Sequence, residues 1–317
     1  MSRRLTMVHR ARAYLEYRRA LGVELRNSGR LLMRFAKFVD RSGRRGPLTA
    51  NWILRWLQLP KAAARSYQYT RLSAVRSFAR YLAARDGRTE VPDLRLAPKA
   101  FRRRPHLYGE QQLRQLLTAA SRLRSVYELR PLTYRTLFGL LASTGLRISE
   151  ALKLTSEQVD LERGILRVEL AKCKKSRLVP LHPTVTRVLR RYAGARDCRW
   201  GSHDEMPFFV GRNGLALPYG TVKATFRQIC DDLGWHRSNG EGCRPRIHDL
   251  RHSFACRRLL RWYRDGENVH HRIASLSTYL GHSRVTDTYW YLTGTPELLA
   301  VVGNRFERFA SPTGRRR

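Results

Sequence analysis

The residues best equipped for chemistry in this chain are cations in unusual local settings, far apart along the sequence. Arg147 lies in Thr144-Gly145-Leu146-Arg147-Ile148-Ser149-Glu150, just past a turn in an apolar helical run. In Arg246-Ile247-His248-Asp249-Leu250-Arg251-His252, His248 and Arg251 stand three apart at a helix start and share one face, and Asp249 is placed to cap that helix or bond its first amides. Leu280-Gly281-His282 is followed nine residues later by Tyr291, within Asp287-Thr288-Tyr289-Trp290-Tyr291. Lys172 opens the basic stretch Lys172-Cys173-Lys174-Lys175. Guanidinium groups grip phosphate oxygens bidentately, imidazoles move protons near neutral pH, and a phenol is a nucleophile once its proton has an acceptor. Each of these residues taken singly reads as a surface cation or a packing ring, so only their joint pattern carries weight.

The chain that must position them has 317 residues, enough for about two domains at roughly 150 each, and its 42% apolar content suffices for a core in both. Disorder is therefore a poor reading. Against 25 Asp and Glu stand 62 Lys and Arg, 54 of them Arg, which leaves a formal charge of +37. Such a chain requires a polyanionic partner. The excess is +20 up to Arg104 and +17 beyond it, so both parts are expected to touch the polyanion, as a two-domain clamp around a duplex whose affinity falls with salt. A histone-like packing protein would carry the same charge, so charge alone names no function. The longest nearly apolar run, Leu137 to Leu146, is too short to span a bilayer, and the basic start, Met1 to Arg12, has no apolar signal core behind it. A soluble, cytoplasmic protein without a membrane partner is expected. Five scattered cysteines with no CxxC pair fit reduced thiols, neither a disulfide framework nor a zinc ribbon.

The predicted fold is mainly α with a small antiparallel β-hairpin. Residues 1–86 read as four helices, from the spacing of Leu31, Leu32, Phe35, Phe38 and Val39 and of Leu72, Val75, Phe78, Ala79 and Leu82, with Thr49 as an N-cap. Residues 87–105, with Pro92, Pro98, Pro105 and the run Arg102, Arg103, Arg104, read as a basic linker, either a solvated tether or a phosphate contact. Residues 106–317 form the second domain. There, Gly164 to Leu170 and Arg177 to Leu181 flank the Lys172 stretch as a hairpin with a charged tip. Helices are expected over Thr184 to Ala195, Tyr219 to Leu233, Asp249 to Arg264, Ile273 to Leu280 and Pro296 to Phe309, with a loop over His236 to Arg244.

The ordered set Arg147, Lys172, His248, Arg251, His282 and Tyr291 resembles the catalytic set of the tyrosine recombinase (phage integrase) family, as does the layout of an amino-terminal helical core-binding (SAM-like) domain before a mostly helical catalytic domain. The resemblance implies a site-specific DNA recombinase that cuts and rejoins strands through a 3′-phosphotyrosyl intermediate and a four-way junction, with no metal and no cofactor. Arg147 and Arg251 would stabilise the charge of the pentacoordinate phosphorus, each worth at least about 3 kcal/mol of barrier by analogy with one oxyanion donor. Tyr291 would attack, His248 would take its proton, His282 would bond the phosphate or the tyrosine, and Lys172 would protonate the leaving 5′-oxygen. Glu150 would orient Arg147 without reacting. Lys174 and Lys175 remain alternatives to Lys172, because Cys173 stands where the family has glycine, and Tyr289 is the rival nucleophile. The family further implies double-stranded DNA as partner, a homo-tetramer on DNA through exchange of the carboxyl-terminal tail, accessory proteins and a place at the bacterial nucleoid. The stretch Leu276 to His282 resembles transposon-borne members more than chromosome-dimer resolvers. The competing readings are a type IB topoisomerase-like nicking and resealing enzyme and an inactive architectural DNA-binding protein.

Overall fold

The computed structural model describes residues 5–43, 46–59, 64–97, 105–124, 127–169, 176–235 and 244–292. The expectations for Lys172, Lys174, Lys175, Arg102, Arg103, Arg104, the loop after Trp235 and the tail beyond Leu292 lie outside these residues. The chain divides into two compact units, Met1–Arg102 and Arg103–Arg317.

The first unit contains α1 (Met7–Ala20), α2 (Arg26–Arg41), α3 (Ala50–Gln58) and α4 (Arg65–Ala83). Their apolar stripes meet in one core in which Phe35, Ala36, Ile53, Leu72, Val75 and Phe78 are fully buried. Each large side chain so buried contributes about 1.5–3 kcal/mol. Asp40 near the end of α2 accepts from the amides of Met7 and Val8 at 2.8 and 2.9 Å, placing a carboxylate at the positive start of α1. Thr49 occupies the N-cap of α3 in an extended conformation, but its hydroxyl makes no cap bond; Glu90 instead accepts from the Ala50 amide at 2.7 Å. Part of the stretch read as linker thus packs on this unit: the Glu90 amide bonds the Leu48 carbonyl, Arg76 bonds the Pro92 carbonyl, and Ala97 joins the core after a 3-10 turn, Leu94–Leu96.

The second unit is built around α6 (Leu129–Thr144), which packs against α5 (Glu110–Ser121), α8 (Pro183–Trp200) and α10 (Ile247–Arg264). The short α7 (Ile148–Ala151) follows α6, and α9 (Tyr219–Asp232) packs on α5. A three-stranded antiparallel sheet comprises β1 (Val159–Asp160), β2 (Ile165–Glu169) and β3 (Ser176–Pro180), in the order β1-β2-β3. Leu166 pairs with Val179 and Val168 with Arg177, so the inward face of the hairpin reads apolar except for one arginine. The chain continues through α11 (Val269–Leu280) and α12 (Thr286–Tyr289) to a 3-10 turn at Trp290–Leu292. A cluster of Phe254, Ala255, Leu259, Leu276, Leu280 and Tyr291 joins α10, α11 and that turn. The helix α5 and the strand β1 add to the elements foreseen from the sequence, and α11 begins earlier than foreseen because Asn268 caps it by accepting from the amides of His270 and His271. Among the described residues no helix is long and apolar enough to cross a membrane.

Candidate active site

The site grows from the ends of helices. Gly281, at φ 69°, closes α11 in the left-handed region that glycine enters without steric cost. The Gly281 amide bonds the Thr278 carbonyl and the His282 amide bonds the Ser277 carbonyl, the paired bonds of a Schellman end. That leaves the last three carbonyls of the turn, and each accepts from a different arginine. Arg177 Nε donates to Tyr279 O at 2.8 Å, Arg251 Nη2 to Leu280 O at 2.6 Å, and Arg147 Nη2 to Gly281 O at 3.0 Å. The orphan carbonyls and the negative end of the helix dipole thus attract three guanidinium groups from three separate elements, and His282 follows directly.

Arg251 also donates Nη1 to the carbonyl of Gly145, the residue that ends α6 in the same left-handed conformation, at φ 66°. Its side chain joins the ends of α6 and α11 and is almost fully buried. Burial and the nearby Arg147 lower its pKa to about 10, while the hydroxyl of Tyr291, a hydrogen-bond partner, and Glu150 oppose that shift. It remains a cation at neutral pH. Two of its five N–H groups serve carbonyls, which leaves donors for a further anion.

Arg147 is the N-cap residue of α7, and Glu150 at the third helical position reaches back to its amide, with Oε2 2.9 Å from the nitrogen. The same carboxylate holds the Arg147 guanidinium at 2.7 Å, and the arginine side chain retains about one third of its exposure. Burial alone would raise the Glu150 carboxyl, but its bonds to Arg177 and Arg147 outweigh that and hold it below the usual carboxylate range. In the same way Asp249, fully buried, accepts from the Arg246 amide at 2.9 Å and starts α10.

The rings complete the site. Tyr291 is 3% exposed. Its ring stacks near His282, centroids 5.9 Å apart at 22°, and meets His252 edge-on at 5.4 Å. His252 in turn contacts His248 at 4.7 Å. His282 Nδ1 pairs with Thr288 Oγ1 at 2.7 Å, which leaves Nε2 available. Burial, then Arg251 and Arg147, push the His282 pKa down to about 4. His248 keeps an exposed edge, yet partial desolvation followed by the charge of Arg251 lowers its pKa as well. Both imidazoles are therefore neutral near pH 7. Tyr289, by contrast, is 41% exposed, at the end of α12.

Five of the six residues singled out from the sequence thus fall among the described residues, and Arg147, His248, Arg251, His282 and Tyr291 come together with Glu150. Lys172, Lys174, Lys175, Arg102, Arg103 and Arg104 are outside them. Arg177, His252 and Thr288 also belong to the arrangement and were not singled out. Arg177 left a trace: it shares strand parity with the buried Val179, and a charge on the inward face of a strand demands a partner. Among the described residues no three His, Cys, Asp or Glu side chains are grouped as metal ligands.

Comparison with known proteins places the chain in a family. Residues 108–297 match the sequence profile of the phage integrase family. The protein named integrase/recombinase y4rB of Sinorhizobium fredii is 40% identical over 300 residues, 93% of this chain and 95% of that protein. The tyrosine recombinase XerC of Rhodospirillum centenum is 33% identical over 233 residues, 73% of this chain and 63% of that protein. The Tn1549 transposon integrase, solved in complex with transposon right end DNA, superposes with a TM-score of 0.70 at 16% identity, over 97% of this chain and all of that one. The matched stretch spans the part of the chain gathered at the end of α11, and with a relative of 40% identity along nearly the whole length it makes this chain a member of the phage integrase family, the tyrosine recombinases.

Proposed function

We propose that this chain carries out site-specific DNA recombination with Tyr291 as the nucleophile. The observation that supports this reading best is that a buried phenol shares one pocket with the Arg251 guanidinium, its hydrogen-bond partner, and the neutral ring of His282. The phenolic oxygen forms a bond to phosphorus, and the bond from phosphorus to the 5′-oxygen breaks. The phenolic proton goes to His248, and the leaving 5′-oxygen takes a proton from Lys172. Arg147 and Arg251 hold the non-bridging oxygens, where their spare donors meet developing charge. Rejoining reverses the step, with a 5′-hydroxyl of another strand displacing the tyrosine and a four-way junction as intermediate.

The wider reading is that of a mobile-element integrase. Duplex DNA is bound by both units, with Arg102, Arg103, Arg104, Lys174 and Lys175 on phosphates. Four copies assemble on the recombination sites through exchange of the tail beyond Leu292, assisted by accessory proteins, at the nucleoid in the cytoplasm. Neither a nicking and resealing topoisomerase nor an inactive architectural protein is favoured, since the relatives are recombinases and integrases. The test is incubation with a nicked duplex that loses the cut fragment and so traps the covalent adduct. Wild type and Tyr289→Phe are expected to form it and Tyr291→Phe to form none. An adduct on Tyr291→Phe would sink the assignment.

A further inference from the structure

We infer that Arg177 is a positioning residue for strand cleavage, one that sets Glu150 and the last turn of α11 in the geometry from which Arg147 and His282 act; this rests on the recombinase reading above. Of the three arginines at the end of α11, Arg147 and Arg251 keep donors for an anion. Arg177 instead commits all three of its nitrogens to the protein: Nε donates to Tyr279 O at 2.8 Å, Nη2 to Glu150 Oε2 at 2.8 Å and Nη1 to Glu150 Oε1 at 3.3 Å. Both side chains of this pair are nearly buried, at 8% and 7% exposure.

A guanidinium is a costly choice for that place. Arg177 lies on the inward face of β3, opposite Val168 and two residues from Val179, where an apolar side chain would pack without desolvating a charge. What the guanidinium adds is orientation. Glu150 sits between Arg177 and Arg147, each taking part of its carboxylate. Without Arg177 the carboxylate would have only Arg147 to neutralise it and would draw that guanidinium into a bidentate pair, away from a phosphate. The fit on the other side is equally close. A Cβ on Gly281 would stand 2.6 Å from Arg177 Nη1, so the glycine that turns the chain toward His282 also makes room for the arginine. One side chain thereby links the hairpin strand to both the Arg147 cap and the His282 turn.

The experiment uses the full-length protein with the nicked duplex, comparing wild type with Arg177→Met, Arg177→Lys and Glu150→Gln. It reads the single-turnover rate of adduct formation at saturating DNA, the Kd for the duplex and the Tm. Arg177→Met is expected to lower the adduct rate about 10- to 100-fold with Kd changed by less than about threefold, since misplacement of a catalytic group is felt in the chemical step. Arg177→Lys, which keeps the charge without the fork, should recover part of that rate. The loss should shrink when Arg177→Met is made in a Glu150→Gln background, because one of its two routes to the site passes through that carboxylate while the other runs through Tyr279 O. An unchanged rate in Arg177→Met overturns the inference, as does an undiminished loss in the Glu150→Gln background. If Arg177→Met does not fold, the rate of Arg177→Lys below its Tm decides in the same way. Absence of any adduct with wild type would instead overturn the recombinase reading beneath it.

Discussion

At the scale of single residues, the pocket keeps arginines charged and histidines neutral in one small volume. The same burial and the same positive neighbours that lower the pKa of Arg251 to about 10 leave it protonated, whereas they push His282 down to about 4 and lower His248 too. A neutral His248 is ready to accept a proton, and its lowered pKa extends that readiness to more acid solution. We therefore expect the adduct-forming rate at sub-saturating DNA, which reports the free enzyme, to stay level as pH falls from about 8 to 6.5, the ordinary histidine value, and to decline only below it. A half-maximal loss at or above that value would contradict this charge assignment. Stability follows the same sign. The unfolded chain binds a proton at His282 more tightly than the folded one, so this contribution is fully present above 6.5 and is lost as pH falls toward about 4. Urea melts at several pH values measure it, and His282→Asn should flatten that part of the curve. Replacing the partly exposed cap residue, Arg147→Lys, removes the planar fork and should slow cleavage by about 100-fold, the usual cost of one preorganised donor.

At the scale of elements, the end of α11 is the joint on which the site depends, because five successive carbonyls from Ser277 to Gly281 are satisfied by its own turn and by three arginines. Gly281→Ala is expected to cost about 1–2 kcal/mol from the left-handed backbone alone, with a further loss from displacing Arg177. Adduct formation should fall more than the Tm shift accounts for, and a variant that loses stability but keeps its cleavage rate would show that the turn does not position the site. Much of this was legible in the sequence. The helical spacing in α2 and α4, the glycine stop at Gly145, the HxxR start of α10 and the Gly281-His282 turn all signal themselves locally, because caps and periodicity are local physics. What escaped was less local. The helix α5 buries only Leu116 and Ala120 completely and so shows a weak stripe, and β1 is two residues long, too short for any alternation to register. Glu90 replaces the Thr49 hydroxyl as partner of α3 from 40 residues away. Arg177 meets Tyr279 across 102 residues, and no spacing rule announces such a contact.

At the scale of the whole molecule, charge dictates the partner and its conditions. Even if each of the 25 acidic residues neutralised one cation, 37 would remain without an acidic partner, and this excess is divided between the two parts of the chain. Some arginines are consumed inside the fold, as Arg71 is, buried over the Trp56 ring at 3.7 Å and bonded to the Trp56 and Leu57 carbonyls. Most remain at the surface, where only mobile anions or a polyanion can offset them. On a duplex, each phosphate met releases condensed counterions, so with about eight such contacts the affinity should fall about 10⁴-fold between roughly 50 and 200 mM salt, a slope near −7 in log K against log salt. Phosphates carry no sequence, so a duplex of arbitrary sequence should show nearly the same slope as a recombination site, and the ratio of the two affinities should change little with salt. Titration of a labelled duplex across that range checks this. A slope shallower than about −3 on both duplexes would mean that fewer than about four phosphates are neutralised, too few for two basic units to share, and would confine DNA binding to one of them.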